Sequence, residues 1–169
     1  MSESVLSRRF SALLSAIDRA SMVFVTVCMA VLTAVLLLQV FFRYALNDSI
    51  DWGWDVPRVC FIWMVLLSIP LGIRNNAHVG IDLLTDLFND LGRRAAITIN
   101  AVFMLLLSLA LAYYAVILTG DTWDQLMPNI PLPVGVFYAA LVFSQIHAAM
   151  HLARIIVTGQ AHSADWSEA

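Results

Sequence analysis

Four apolar runs divide the chain, with charged, polar or proline-bearing segments between them. The first, Ala20 to Phe42, is 23 residues without a charge. At 1.5 Å per residue it reaches about 34 Å, enough to cross a hydrocarbon core of about 30 Å. The second, Val59 to Ile73, is too short alone, but extending it back through Trp52, Trp54, Asp55 and Arg58 makes a full span. Tryptophan favours the headgroup level, and an arginine near a helix end can snorkel to it. Pro57 then sits in an early turn, where proline is tolerated, and Pro70 falls near the other end, where a kink is expected. Ala95 to Gly120 is the third run, and the fourth opens at Pro133, a natural first-turn residue, and ends near Ile156. The expected spans are 20–42, 52–73, 95–120 and 133–156, in one membrane domain over 1–169. The polar residues 157–169 are expected to be a disordered tail.

The flanking segments carry patterns of their own. Phe10, Leu13, Leu14 and Ile17 recur at helical spacing, with Arg8, Arg9, Asp18 and Arg19 around them. This predicts a short amphipathic helix lying in the interface ahead of the first span. Between the second and third spans, Leu83, Leu84, Leu87, Phe88 and Leu91 share one helical face and Asp82, Asp86 and Asp90 another. A surface helix with a solvated acidic face follows. No calcium-loop pattern accompanies the three aspartates. Small residues repeat every fourth position at Thr26, Ala30 and Ala34, at Ser108 and Ala112, and at Ala140, Ser144 and Ala148. Such stripes let helix backbones approach closely, so these eight are the candidate helix-packing residues.

Composition supports the membrane reading. Of 169 residues, 61% are hydrophobic and 12% charged, against about 25% charged in soluble domains, and the mean hydropathy is +0.83. All nine cations are arginine. The first apolar run exceeds the 7–15 residues of a signal-peptide core, so it reads as an uncleaved helix. Arginines crowd the first nineteen residues and the 74–94 connection, and none lies in 121–132. The positive-inside rule therefore predicts four transmembrane helices with both termini in the cytoplasm. Cys28 and Cys60 fall inside apolar runs and read as small buried hydrophobes. No basic patch suggests nucleic acid.

Motifs for catalysis or phosphate binding are missing, so no catalytic, cofactor-binding or metal residue is assigned. One electron-transfer alternative remains, a b-type haem anchor. That chemistry needs axial histidines on facing helices, whereas His147 and His151 sit one turn apart on the last span and His78 lies in a connection. Packed or interfacial histidines fit better. The spans show few ionisable groups in their central turns, which argues against a transport pathway within this chain alone. Charge gathers instead around the second span. Asp51, Asp55 and Arg58 fall on one face, and Asp55 can pair with Arg58 within the helix. Arg43, Trp52, Trp54, Asp55, Arg58, Arg74 and His78 are the candidate contacts to a partner subunit or to lipid headgroups.

The stretch from Gln39 reads Q-V-F-F-R-Y, then N-D-S-I-D-W, then W-D-x-x-R, an apolar helix with Trp63, and P-L-G-I-R-N-N-A-H-V-G-I-D-L-L. Through Gln39, Arg43, Tyr44, Trp52, Trp54, Asp55, Arg58, Trp63, Arg74, His78 and Asp82 it resembles the DctQ-like small membrane subunit of tripartite ATP-independent periplasmic (TRAP) transporters. That family often has glutamate where Asp55 stands. The resemblance implies a non-catalytic subunit of the bacterial inner membrane, with no cofactor, in a stable complex with a large permease subunit. It implies that a periplasmic binding protein docks transiently to deliver a solute, often a carboxylate, and that a sodium gradient drives uptake. The solute and sodium sites would lie in the large subunit. Reversing the charge of Asp55 or Arg58 is expected to weaken assembly or uptake more than reversing Asp86 or Asp90. Equal tolerance at all four positions in an uptake assay would contradict this placement.

Overall fold

The computed structural model describes residues 5–48, 50–74 and 90–158. Helix α1 runs unbroken over Val5–Ala45. Neither glycine nor proline interrupts these 41 residues, so nothing in the sequence separates an interfacial lead-in from the first span. The expected short amphipathic helix is therefore the first part of α1. The helix stops at Asn47, which takes a left-handed φ of 51°, a conformation asparagine tolerates better than most residues. A 3-10 turn, Asp51–Gly53, leads into α2, Asp55–Arg74. Helix α2 continues through Pro70 to Arg74. Helix α3, Asp90–Asp121, starts five residues before the run that predicted it, and α4 covers Gly135–Thr158. All four are long and apolar enough to cross a membrane, so the chain is an all-α integral membrane protein. Residues 75–89, which include His78 and most of the surface helix predicted from Asp82 to Leu91, lie outside the described residues. So does the tail from 159 onward.

Helix α1 buries a seam, not a broad face. Leu14, Asp18, Ser21, Cys28 and Gln39 are buried, and Ser11, Val25, Leu32, Val35 and Phe42 are half-buried between and beside them. These positions alternate steps of three and four, a 3.5-residue repeat that suits left-handed knobs-into-holes packing. Helix α3 repeats the pattern through Ala101, Leu105, Ser108, Ala112, Ala115 and Thr119. Helix α1 packs on α2, α2 on α4, and α4 on α3, so α2 and α4 occupy the middle. Ala140, Ser144 and Ala148 are buried on α4. Phe24 of α1 tilts against Trp63 of α2 with ring centroids 5.5 Å apart. Cys28 is buried and Cys60 half-buried, both free thiols. Thr26, Ala30 and Ala34 face another direction. They are exposed and line an open groove with Met29, Thr33 and Leu37.

Polar groups inside the bundle tie neighbouring helices. The Ser108 hydroxyl lies 2.8 Å from Gln145 Oε1 and 2.9 Å from the Gln145 carbonyl oxygen, joining α3 to α4. Ser144 donates to the Leu66 carbonyl, joining α4 to α2. Bonds of this kind in membranes average about 0.6 kcal/mol each. At the far end, the 122–134 connection folds onto itself. Met127 N–H donates to the Leu132 carbonyl at 2.9 Å and Val134 N–H to Gln125 at 2.7 Å. These bonds carry the chain past Pro133 before regular α4 begins at Gly135, two residues later than the sequence suggests.

Gly135 lets α4 start against the end of α3. A Cβ there would stand 2.9 Å from the Thr119 carbonyl oxygen and 2.9 Å from the Trp123 ring. The backbone oxygen cannot rotate away, so Gly135→Val should destabilise the chain by about 1–3 kcal/mol, the usual cost of overpacking. Thermal melting in detergent measures this, with Gly120→Val as the open-space control, since nothing lies within 4 Å of a Cβ at Gly120.

Candidate functional site

Two polar clusters lock the bundle, one at each end. At the end where α1 and α3 begin and α2 and α4 finish, Asp18 projects inward from α1. Its place on the 3.5-residue seam, between Leu14 and Ser21, forces the carboxylate into the bundle with only 3% exposure. A buried carboxylate needs donors, and α4 and the end of α2 supply them here. His147 and His151, one turn apart on α4, both direct Nε2 at Asp18 Oδ1, each at 2.8 Å. Arg74, the last residue of α2, places Nη1 3.5 Å from Asp18 Oδ2. His147 is fully enclosed and His151 is 4% exposed, with ring centroids 5.1 Å apart. The cluster thus ties α1, α2 and α4 together through one carboxylate. Beside it lies an apolar core of Ile73, Ala101, Ala148 and Leu152.

At the opposite end, Gln39 closes the α1 seam. With its amide oriented by its partners, it donates to the Gly53 carbonyl and accepts from Trp54 Nε1–H, both at 3.1 Å. Gly53 suits this close approach, because a Cβ there would sit 3.2 Å from the Gln39 side chain, which would have to shift by a few tenths of an ångström. Asp55, 5% exposed, accepts the Asn129 backbone N–H at 3.0 Å and pins the 122–134 connection to the start of α2. Arg58 lies over the Phe137 ring of α4, 5.4 Å from its centroid, a favourable cation–π placement. The suggested Asp55–Arg58 pair gives way to these partners on other elements.

The sequence-derived candidates thus divide. Trp54, Asp55 and Arg58 meet at the distal lock, while Arg74 belongs to the proximal one. Arg43 and Trp52 are exposed. The reading that placed Asp18 among the polar flanks of an interfacial helix is corrected, since α1 turns it inward. His147 and His151 are packed, as expected, but around a carboxylate. Both come from one helix and face Asp18, not the opposed axial arrangement a haem needs. Their atoms could hold a metal ion, because Asp18, His147 and His151 each offer one ligand atom, all within 4.8 Å of one another.

Four membrane-capable helices, with locks at their ends, define an integral membrane helical-bundle subunit. The chain belongs to the family described as "Tripartite ATP-independent periplasmic transporters, DctQ component", whose model matches residues 32–161. It is similar to a putative TRAP transporter small permease protein of Haemophilus influenzae, 24% identical over 123 residues, covering 70% of this chain and 74% of that one. It is 27% identical over 140 residues to the sialic acid TRAP transporter small permease protein SiaQ of Vibrio cholerae, covering 76% and 79%. With the C4-dicarboxylate TRAP transporter small permease protein DctQ of Vibrio cholerae it shares 27% over 110 residues, covering 62% and 47%. It is therefore a small permease component of the inner membrane and a transporter part, not an enzyme. The family implies a tripartite system with a large permease and a binding protein.

Removing the shared carboxylate should leave two enclosed imidazoles and Arg74 without an acceptor. Asp18→Ala is expected to cost about 3 kcal/mol, as breaking a buried pair does. Asp51→Ala, on the exposed turn, should cost less than about 0.5 kcal/mol. Melting of both variants in detergent checks the contrast, and equal loss would contradict it.

Proposed function

We propose that this subunit braces a large permease that performs sodium-coupled uptake of a small carboxylate solute delivered by a periplasmic binding protein. The observation that carries the reading is the uncovered stripe on α1. Thr26, Ala30 and Ala34 are exposed beside the seam that packs on α2, and the groove they line, together with Val25 of the seam and Met64 of α2, is open in the isolated chain. In lipid, a stripe of small residues gains from close approach of another helix, and lipid tails fill it less well. A helix of the large permease is the occupant we assign to it. Arginine placement puts the proximal lock on the cytoplasmic side and the distal lock on the periplasmic side. The distal surface, with Arg43, Trp52 and Trp54 exposed, then meets headgroups and the docking binding protein.

Relatives of similar identity are named for a C4-dicarboxylate and for sialic acid. That variety fits a small subunit that supports transport without choosing the solute. Filling the groove tests the assignment. Ala30→Trp should lower recovery of the large permease with this chain roughly tenfold, about 1.4 kcal/mol of association, and sodium-driven uptake should fall in parallel. Leu107→Trp, on the exposed side of α3, should leave both unchanged. Unaltered recovery of the Ala30→Trp complex would remove the α1 face from the interface.

A further inference from the structure

The side chains that satisfy Asp18 in the proximal lock are also a set of metal-ligating types. We propose that Asp18, His147 and His151 form a site for one divalent transition-metal ion of the zinc class, joining α1 to α4. His147 and His151 stand at i and i+4, the spacing by which a helix presents two imidazoles to one ion. Both direct Nε2 at Asp18 Oδ1 itself, each at 2.8 Å, so the three ligand atoms already converge. Ligand atoms around a tetrahedral zinc at 2.0–2.1 Å stand about 3.3 Å apart. Small side-chain shifts that lengthen the two 2.8 Å sides of the present triangle, whose atoms all lie within 4.8 Å of one another, bring it to that size. All three ligands are buried, and the two imidazoles are held by helix packing against Phe143 and each other.

The remaining groups fix the mode of binding. Arg74 approaches Oδ2 and leaves Oδ1 to the ion, as an outer partner orients a ligating carboxylate. His147 Nδ1 is enclosed and has no hydrogen-bond partner among the described residues, so its working atom is Nε2. Binding through Nε2 moves the imidazole proton to Nδ1, where no acceptor waits. With only three protein ligands, affinity is therefore weaker than that of a closed four-ligand structural zinc site. Two nitrogens and one oxygen suit zinc, cobalt or iron(II). They do not suit sodium or magnesium, which select oxygen ligands.

The test uses the full chain in detergent, purified through a histidine-free tag and stripped with chelator. Titration with Co2+ should give the intense visible bands of a low-coordinate site, saturating at one ion per chain. One equivalent of Zn2+ should abolish the bands and raise the melting temperature. His147→Ala and His151→Ala should each weaken Co2+ binding more than about 100-fold, beyond the 10–100-fold typical of losing an outer partner. Arg74→Gln should keep the bands, because a cluster held by the ion pair would fail where a metal site survives. A His78→Ala/His162→Ala chain should also bind as the parent does. The proposal is overturned if the parent chain shows neither bands nor a zinc-dependent melting shift. It is equally overturned if the bands survive His147→Ala/His151→Ala or vanish in His78→Ala/His162→Ala.

Discussion

The shared carboxylate of Asp18 is the constraint on which the bundle's arrangement depends. An acid within an apolar helix can be buried only where donors meet it, and three converge here. That requirement fixes the rotation of α1, because turning the helix would carry the acid away from α4 and into lipid. It fixes the relative height of α2 and α4 as well, since Arg74 and His151 must meet Asp18 at the same level of the bundle. The 3.5-residue seam then carries the orientation along α1 to Gln39, where the second lock closes.

The two locks differ in kind. The proximal one is made of side chains on three helices that meet directly. The distal one is made largely from backbone groups of turns, with Gln39 and Asp55 answering the Gly53 carbonyl and the Asn129 N–H. Backbone polar groups outside regular helices need partners near the membrane boundary. Asp55 is therefore a loop anchor as much as a surface charge, and a glutamate can serve the same purpose only if its longer side chain finds the same N–H.

Four spans were legible in the sequence because hydrophobic length is a direct consequence of membrane thickness. Two of the three small-residue stripes fell on buried lines for a similarly simple reason: Ser108 and Ser144 serve packing and hydrogen bonding together. Asp18 was not legible by charge, since Arg8, Arg9 and Arg19 nearby make a solvated surface the natural inference. The signal lay in period. Stepping back from Gln39 through Cys28 and Ser21 in threes and fours lands on Asp18, whereas the fourfold stripe at Thr26 selects the adjacent face. His147 and His151 announce a shared direction by their spacing, but their common target lies 129 and 133 residues away. No local pattern could supply it.

Helix α1 has a mechanical consequence. Its 41 unbroken residues measure about 60 Å, roughly twice the hydrocarbon thickness. Asp18 and Gln39 lie on the same stiff rod, with no hinge residue between them. A displacement imposed at one membrane face must therefore reach the other as a tilt of the whole rod, making α1 a lever across the bilayer.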